Sequence, residues 1–296
     1  MGRKIRDNGV LCKRSGPEKI LYNIVFIVFF IQSLTFIFAV GWMIFSSLKT
    51  SVEFDLNKAF SMPAALQWSN YSVAFKELKV KDINFFGMIF NSVWYTGVLT
   101  ALSAFMPAVT GYCFSKYKFR GRDIMYAIVV ASMMIPLVGT TAAYMKYIDF
   151  LDFYNKPMYV VYTGLGTGFG GSFLVYYGFF KSISWSYAEA VQIDGGGPFT
   201  IFFRIMLPQA MPILLTYAIT NGIMYWNEYE SVLLYLPDWP TLASGLFEYK
   251  AEIARSDGGY PVYFAGLLIS MVPTLILFAI FSNKIMSSIS IGGLKG

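Results

Sequence analysis

The residue types that usually carry out catalysis are scarce in this chain of 296 residues. It contains no histidine, which excludes a Ser-His-Asp or Cys-His arrangement and removes the commonest metal ligand. Its Asp and Glu residues form no cluster, and no GxxxxGKS or GxxxxGKT phosphate-binding loop occurs. The sequence therefore predicts no catalytic residues, no metal site and no ATPase activity in the chain itself.

One stretch does match a nucleotide-binding pattern. Residues 166–171 read GTGFGG, a GxGxxG spacing that binds a dinucleotide when it follows a strand and opens a helix. Here it lies inside an apolar run, Met158 to Phe180, which is long enough to cross a membrane. Small residues let membrane helices approach one another closely, and we interpret these glycines in that way.

Polar side chains near the end of another apolar run, Gln209 to Trp226, are candidates for binding a solute. Asn221, Tyr225 and Glu228 have the i, i+4, i+7 spacing of one helix face, and Asn227 lies beside them. Sugars need hydrogen-bonding groups and aromatic faces, and polar groups inside a span usually face a cavity or a neighbouring helix. Two interpretations stay open: a substrate pathway, or hydrogen bonds between helices with an aromatic belt at the interface.

A short segment between these two apolar runs, EAVQIDGGGPFTIFFRIMLP at residues 189–208, is the most informative part of the chain. Ser186 and Glu189 have the spacing of a capping box, which predicts a helix that starts near Ser186 and ends at about residue 193. Gly195–Gly197 then break that helix, and Pro198 fits the first position of a second one. The segment is therefore predicted to be a helix–turn–helix outside the hydrocarbon.

The second helix of this pair carries apolar side chains that need a partner. Phe199 and the Ile-Phe-Phe of residues 201–203 are too apolar to face water unaccompanied. We predict that another protein docks on this helix. The alternative is that these side chains fill a crevice within the chain and that Glu189 only caps its helix.

The same segment resembles the EAA loop of the permease subunits of ABC importers. The resemblance rests on Glu189-Ala190, then Gly195, and, after nine intervening residues, Ile205-x-Leu207-Pro208. Ile-Asp-Gly at residues 193–195 and the terminal IGGLKG at 291–296 resemble the carbohydrate-uptake branch, the relatives of the smaller maltose permease subunit. Val191 departs from the pattern, since the family usually has a second alanine there.

The resemblance implies a coupling helix that inserts into a cleft on an ATP-binding subunit and transmits its closure around ATP. It implies a heterodimer with a second homologous permease subunit, two ATP-binding subunits that bind ATP and Mg, and an extracytoplasmic solute-binding protein. No cofactor is then bound by this chain, and no nucleic acid is a partner. The coupling residues that it implies are Glu189, Ala190, Asp194, Gly195, Phe202, Arg204 and Pro208.

Composition independently indicates a membrane protein. The mean hydropathy is +0.54, with 56% apolar and 14% charged residues, outside the usual range of soluble domains. We predict an all-α integral membrane protein with a basic N-terminal segment (1–20), a permease domain (21–285) and a C-terminal tail (286–296). Its six predicted spans are residues 21–45, 85–114, 124–144 (kinked near Pro136), 158–180, 209–226 and 262–285.

The distribution of positive charge predicts the orientation of these spans. If both termini and the EAA loop between spans four and five are cytoplasmic, the cytoplasmic segments hold 14 of the 23 Lys and Arg residues. The resemblance implies a location in the plasma (inner) membrane of a bacterial-type cell, with membrane lipid around the spans.

Together with these observations, the resemblance implies an ATP-driven importer of a carbohydrate, with an oligosaccharide as the expected substrate. An ion-gradient-driven secondary transporter should have mid-span carboxylates, yet none occurs before Glu228 at the edge of the fifth span. An ABC permease for another solute, such as peptides or phosphate, is a second alternative. A membrane-embedded enzyme is a third, and the lack of histidine weighs against it.

Overall fold

The computed structural model describes residues 16–56, 60–136, 138–253 and 259–291, and this part of the chain is mostly helical. In chain order, its elements are α1 (Gly16–Ser47), α2 (Ser51–Asp55), α3 (Ser69–Glu77), β1 (Lys79–Val80), β2 (Ile83–Asn84), α4 (Phe85–Lys116), α5 (Arg122–Met134), α6 (Thr141–Phe150), α7 (Met158–Gly166), a 3-10 turn (Thr167–Phe169), α8 (Gly171–Ser182), α9 (Ser186–Ile193), α10 (Pro198–Thr200), a π-helical stretch (Ile201–Met206), α11 (Leu207–Gln209), α12 (Met211–Trp226), α13 (Glu230–Tyr235), α14 (Leu242–Ile253) and α15 (Tyr260–Ile291).

The prediction of an all-α fold missed one small pair of β-strands. β1 and β2 pair antiparallel, with Lys79 opposite Asn84 and Val80 opposite Ile83. The turn places Lys81 in the left-handed region, with φ of 52°. Asn84 then leads directly into α4, because its side-chain oxygen accepts a hydrogen bond from the Gly87 N–H at 2.9 Å.

Within the described residues, three helices are long and apolar enough to cross a membrane: Ile20–Ser47, Phe85–Lys116 and Tyr260–Phe281. A fourth candidate is the bent pair Pro198–Gln209 and Met211–Trp226, whose two halves differ in direction by 70°. Three or four apolar candidates are thus observed where the sequence predicts six spans. The six-span arrangement stays a prediction.

The predicted third and fourth spans are each divided into two helices. α5 ends before Pro136, as expected, because proline disfavours helical conformation in the residue before it, and Ile135 is extended. α7 and α8 are separated by the 3-10 turn and by an extended Gly170. This second interruption was not predicted, since the glycines were interpreted as contact residues within one continuous helix.

The interpretation of the GTGFGG glycines as helix-contact residues holds for only some of them. A Cβ atom on Gly168 would lie 3.3 Å from Thr110 of α4, and the Thr110 hydroxyl donates to the Gly168 carbonyl. Added Cβ atoms on Gly166 and Gly171 would meet nothing within 4 Å. Gly164, just outside the motif, makes a tighter contact, because its Cβ would lie 2.6 Å from Leu102.

α4 is the central helix of the described structure, packed against α7, α8 and α12. It approaches α8 closely at Gly111, where an added Cβ would lie 2.8 Å from the Tyr176 Cβ and 2.9 Å from the Tyr177 backbone nitrogen. Tyr176 is fully buried there, and its hydroxyl donates to the Ala104 carbonyl at 3.1 Å. The two backbones can approach this closely because residue 111 has no side chain.

A polar network joins three connections at one end of the bundle. The Asp238 carboxylate, between α13 and α14, accepts hydrogen bonds from Lys81 in the turn between β1 and β2 and from Asn155 between α6 and α7. The Asn155 side-chain oxygen accepts the Asp238 N–H in return, at 3.0 Å. The bonds from Lys81 and then Asn155 hold the pKa of Asp238 below its ordinary value.

The contact at Gly111 predicts that Gly111→Val lowers the thermal stability of the purified protein. The added side chain would meet backbone atoms of α8, and overpacking of this kind costs roughly 1–3 kcal/mol. The measurement is the midpoint of thermal unfolding in detergent.

Gly97→Val is the matched control, since Gly97 lies in the same helix and its added Cβ would meet nothing within 4 Å. Equal midpoints for the two variants would contradict the assignment of Gly111 as a contact residue.

Candidate functional site

The predicted helix–turn–helix is present at residues 186–209 and is called the hairpin below. α9 ends in a Schellman motif: the Gly196 N–H bonds to the Val191 carbonyl at 2.8 Å, and the Gly195 N–H bonds to the Gln192 carbonyl at 3.0 Å. Gly195 has φ of 77°, a conformation that glycine adopts without steric cost. Pro198 occupies the first turn of the next helix, as predicted.

The predicted capping box at the start of α9 is wrong. Trp185 is the residue before the helix, Ser186 is its first helical residue, and no side chain caps it. The Ser186 N–H instead bonds to the Ser184 hydroxyl at 3.3 Å. Because the helix begins one residue earlier than a capping box requires, Ser186 is inside the helix and the Glu189 side chain remains exposed on the first turn.

The two faces of the second helix have opposite environments. Ile201, Phe202 and Met206 are buried and pack in a cluster with Tyr112, Tyr176 and Phe180 of α4 and α8. Phe199 is 80% exposed and Phe203 is 49% exposed. The expectation that all of these apolar residues need an external partner is therefore half wrong, because residues one helical turn apart share a face and only one face is covered.

The residues implied to couple to an ATPase are divided in the same way. Phe202 is only 6% exposed, with its ring centroid 4.9 Å from that of Tyr112, so a direct contact of Phe202 with another subunit is not supported. The remaining six are exposed: Glu189, Ala190, Asp194, Gly195, Arg204 and Pro208. Their contact with a partner stays a prediction. Sequence reasoning missed Ile193 as a further surface residue, which is 85% exposed beside Asp194.

An apolar cleft of about 340 Å³ separates the start of the second helix from the end of α4. Phe199 and Phe203 line one wall, and Phe105, Val109 and Cys113 line the other. The Phe105 and Phe203 rings are stacked with their centroids 6.3 Å apart. The apolar surface of the hairpin thus continues onto α4.

The candidate solute-binding residues do not share one helix face. α12 ends at Trp226, so Glu228 lies in the following turn, where its carboxylate accepts the Ser231 N–H at 2.8 Å. Asn227 is exposed and donates back to the Ile223 carbonyl at 2.8 Å. The predicted i, i+4, i+7 face is therefore wrong for Glu228, because the helix stops before reaching it.

Asn221 and Tyr225 do lie on α12, and both face α4. The Asn221 amide donates to the Ser103 hydroxyl at 2.9 Å, and the Tyr225 hydroxyl interacts with the same serine. Both residues are half-buried. This geometry supports the second of the two interpretations for Asn221, a hydrogen bond between helices.

Comparison with known proteins decides the family. Residues 106–286 match the family model described as "Binding-protein-dependent transport system inner membrane component". The chain belongs to this family of transporter permeases. The match covers the whole helix–turn–helix and α12, so both candidate sites lie within the part that defines the family.

Individual permeases are similar over most of their length. The arabinooligosaccharides transport system permease protein AraQ of Bacillus subtilis is 27% identical over 96% of this chain and 99% of its own. The diacetylchitobiose uptake system permease protein NgcG of Streptomyces coelicolor is 28% identical over 85% of this chain and 82% of its own. The resemblance to ABC importer permeases is thus confirmed.

A solved structure shows the same fold. The chain has a TM-score of 0.73 with one chain of a bacterial ABC transporter involved in the import of the acidic polysaccharide alginate. The two sequences are 19% identical, and the match covers 92% of this chain and 99% of the other.

The bond between α12 and α4 predicts energetic coupling between Asn221 and Ser103. In a double-mutant cycle of Asn221→Ala and Ser103→Ala, we expect a coupling energy of about 0.5–1.5 kcal/mol, as for other hydrogen bonds between membrane helices. The measurement is the free energy of unfolding of the four proteins in detergent micelles.

Thr220→Ala combined with Ser103→Ala is the control cycle, because the Thr220 hydroxyl bonds to its own helix at the Thr216 carbonyl. Additive effects of Asn221→Ala and Ser103→Ala would show that the two side chains do not interact.

Proposed function

We propose that this chain is a transmembrane permease subunit of an ATP-driven ABC importer that moves an oligosaccharide into the cytoplasm by alternating access. The observation that carries the proposal is the family match over residues 106–286, combined with relatives named for oligosaccharides along nearly their whole length. A further relative is named as a melibiose, raffinose and stachyose import permease. The chain itself is proposed to be non-catalytic.

The proposed arrangement has six spans in a bacterial-type plasma membrane, with both termini in the cytoplasm. Spans three and four are each made of two helices, α5 with α6 and α7 with α8. The basic N-terminal segment (1–20), the permease domain (21–285) and the C-terminal tail (286–296) keep their predicted bounds. Residues 1–15 and 292–296, the latter being the end of the tail, lie outside the described residues.

The proposed partners are a second homologous permease, two ATP-binding subunits and an extracytoplasmic solute-binding protein. ATP and Mg would be held by the ATP-binding subunits. Exposed apolar residues on the hairpin support docking there, because Ile193 and Phe199 are 85% and 80% exposed and water is a poor environment for both. Glu189 in the first turn of α9 and Asp194 at its end are exposed as well.

The coupling step is proposed to be a rigid-body movement of the hairpin. Phe202 and Met206 are buried against α4 and α8, so the hairpin cannot shift without moving those helices. Ala210 joins the end of the hairpin to α12 at a 70° bend, and α12 carries Asn221 and Tyr225. Closure of the ATP-binding subunits would therefore reach the polar residues of α12 across this single bend.

This proposal predicts that the double variant Ile193→Ser, Phe199→Ser loses uptake and releases the ATP-binding subunits. Each substitution removes a large exposed apolar side chain, worth about 1.5–3 kcal/mol when buried in an interface, so co-purification should fall at least about tenfold. The measurements are sugar uptake by cells carrying the full transporter and the amount of ATPase that purifies with this chain.

Phe150→Ser is the matched control, because Phe150 is 85% exposed at the opposite end of the bundle. Co-purification and uptake at the wild-type level in the double variant would refute docking on the hairpin.

A further inference from the structure

A second cleft, of about 520 Å³, opens between α6 and the end of α7. It is separate from the hairpin and from the polar residues of α12. Four of its six lining residues carry a hydroxyl group, and none carries a charge. These residues are Tyr144, Tyr162, Thr163, Leu165, Gly166 and Thr167.

The cleft lies where the backbone leaves the α-helical conformation. α7 ends at Gly166, and the 3-10 turn Thr167–Phe169 follows, with Gly170 extended. In a membrane span, such an interruption is tolerated where it is buried in protein or lines a cavity. Broken helices of this kind often surround the solute in transporters. The interruption of the proposed fourth span therefore coincides with a cavity.

Two glycines show that α7 has one packed side and one open side. A Cβ on Gly164 would lie 2.6 Å from Leu102 of α4, whereas a Cβ on Gly166 would meet nothing within 4 Å. Gly166 has φ of −61°, which any residue adopts. A side chain at position 166 would thus extend into the cleft without straining the backbone.

The tyrosines of the cleft are held by aromatic neighbours. The Tyr162 hydroxyl is hydrogen-bonded to the Tyr147 hydroxyl at 2.6 Å, and its ring lies 5.3 Å from the Phe153 ring. The Tyr144 ring meets the Tyr235 ring edge-on at 5.3 Å. Their ring faces and hydroxyl groups are therefore positioned before any ligand arrives, which reduces the entropy lost on binding.

We propose that this cleft holds one ring of a neutral sugar during transport. The inference rests on the function proposed above and adds a contact site and a charge preference to it. Tyrosine faces suit the apolar side of a sugar ring, and the Tyr and Thr hydroxyls suit its OH groups. An anionic sugar would place its charge against Leu165 and tyrosine rings, with no cation among the lining residues to stabilise it.

The test uses cells that carry the full transporter and a panel of labelled probes: raffinose, arabinotriose and diacetylchitobiose as neutral sugars, and an alginate trisaccharide as an acidic one. Gly166→Leu fills the cleft, and we expect at least a tenfold loss of neutral-sugar uptake. Tyr144→Phe combined with Tyr162→Phe keeps the rings and removes two hydroxyls, with an expected loss of three- to tenfold. Basal ATP hydrolysis of the purified complex should be unchanged in both.

Gly41→Leu is the matched control, because Gly41 lies in α1 and its added Cβ would also meet nothing within 4 Å. Wild-type uptake by Gly166→Leu, or by the double tyrosine variant if Gly166→Leu does not assemble, would overturn the cleft as a sugar site. The proposed function would still stand after that result, provided that the wild-type transporter takes up a neutral sugar.

Two further results separate the remaining explanations. Loss of the second permease subunit on purification of Gly166→Leu would make the cleft a subunit interface and overturn the inference. Uptake of the alginate trisaccharide alone by the wild type would overturn the charge preference. Uptake of none of the four probes would overturn the proposed function itself, and this inference with it.

Discussion

Close contact between α4 and its neighbours is the constraint on which the rest of the structure depends. Helices in hydrocarbon gain little from burying apolar area, since lipid tails are as apolar as leucine side chains, so association relies on close packing and hydrogen bonds. α4 uses both, with α8 at Gly111, α7 at Gly164 and the Ser103–Asn221 bond to α12. The cleft between α6 and α7, the hairpin and the polar residues of α12 are all positioned relative to these three contacts.

The same contacts separate structural residues from candidate functional ones. Phe202 is one of the coupling residues that the resemblance implies, yet it is buried and packs the hairpin against α4 and α8. Phe199, a few residues earlier, is exposed and available to a partner. Likewise, Gly164 and Gly166 are two residues apart, and one is packed while the other faces a cavity. Sequence motifs combine both kinds of residue, and only packing distinguishes them.

Features set by local interactions were predictable from the sequence. Long apolar runs identified α1, α4 and α15, and the glycines and Pro198 identified the hairpin, because helix ends follow from neighbouring residues. Three features were not predictable in this way. The burial of Ile201 and Phe202 depends on α4 and α8, the Asn221–Ser103 bond joins residues far apart in the chain, and the cleft is formed by two separate helices. The prediction that Glu228 shares the face of α12 failed for another reason: the helix ends at Trp226, and that end has no strong sequence signal.

The bend at Ala210 has a consequence for leverage. From Pro198 to Gln209 the hairpin helix is about 18 Å long, and α12 is about 24 Å long, at 1.5 Å per residue. If the two halves turn as one body about the bend, a rotation of about 10° moves the outer end of α12 by about 4 Å and the tip of the hairpin by about 3 Å. The bent pair of helices then changes the direction of a displacement and slightly enlarges it between the hairpin and the outer end of α12.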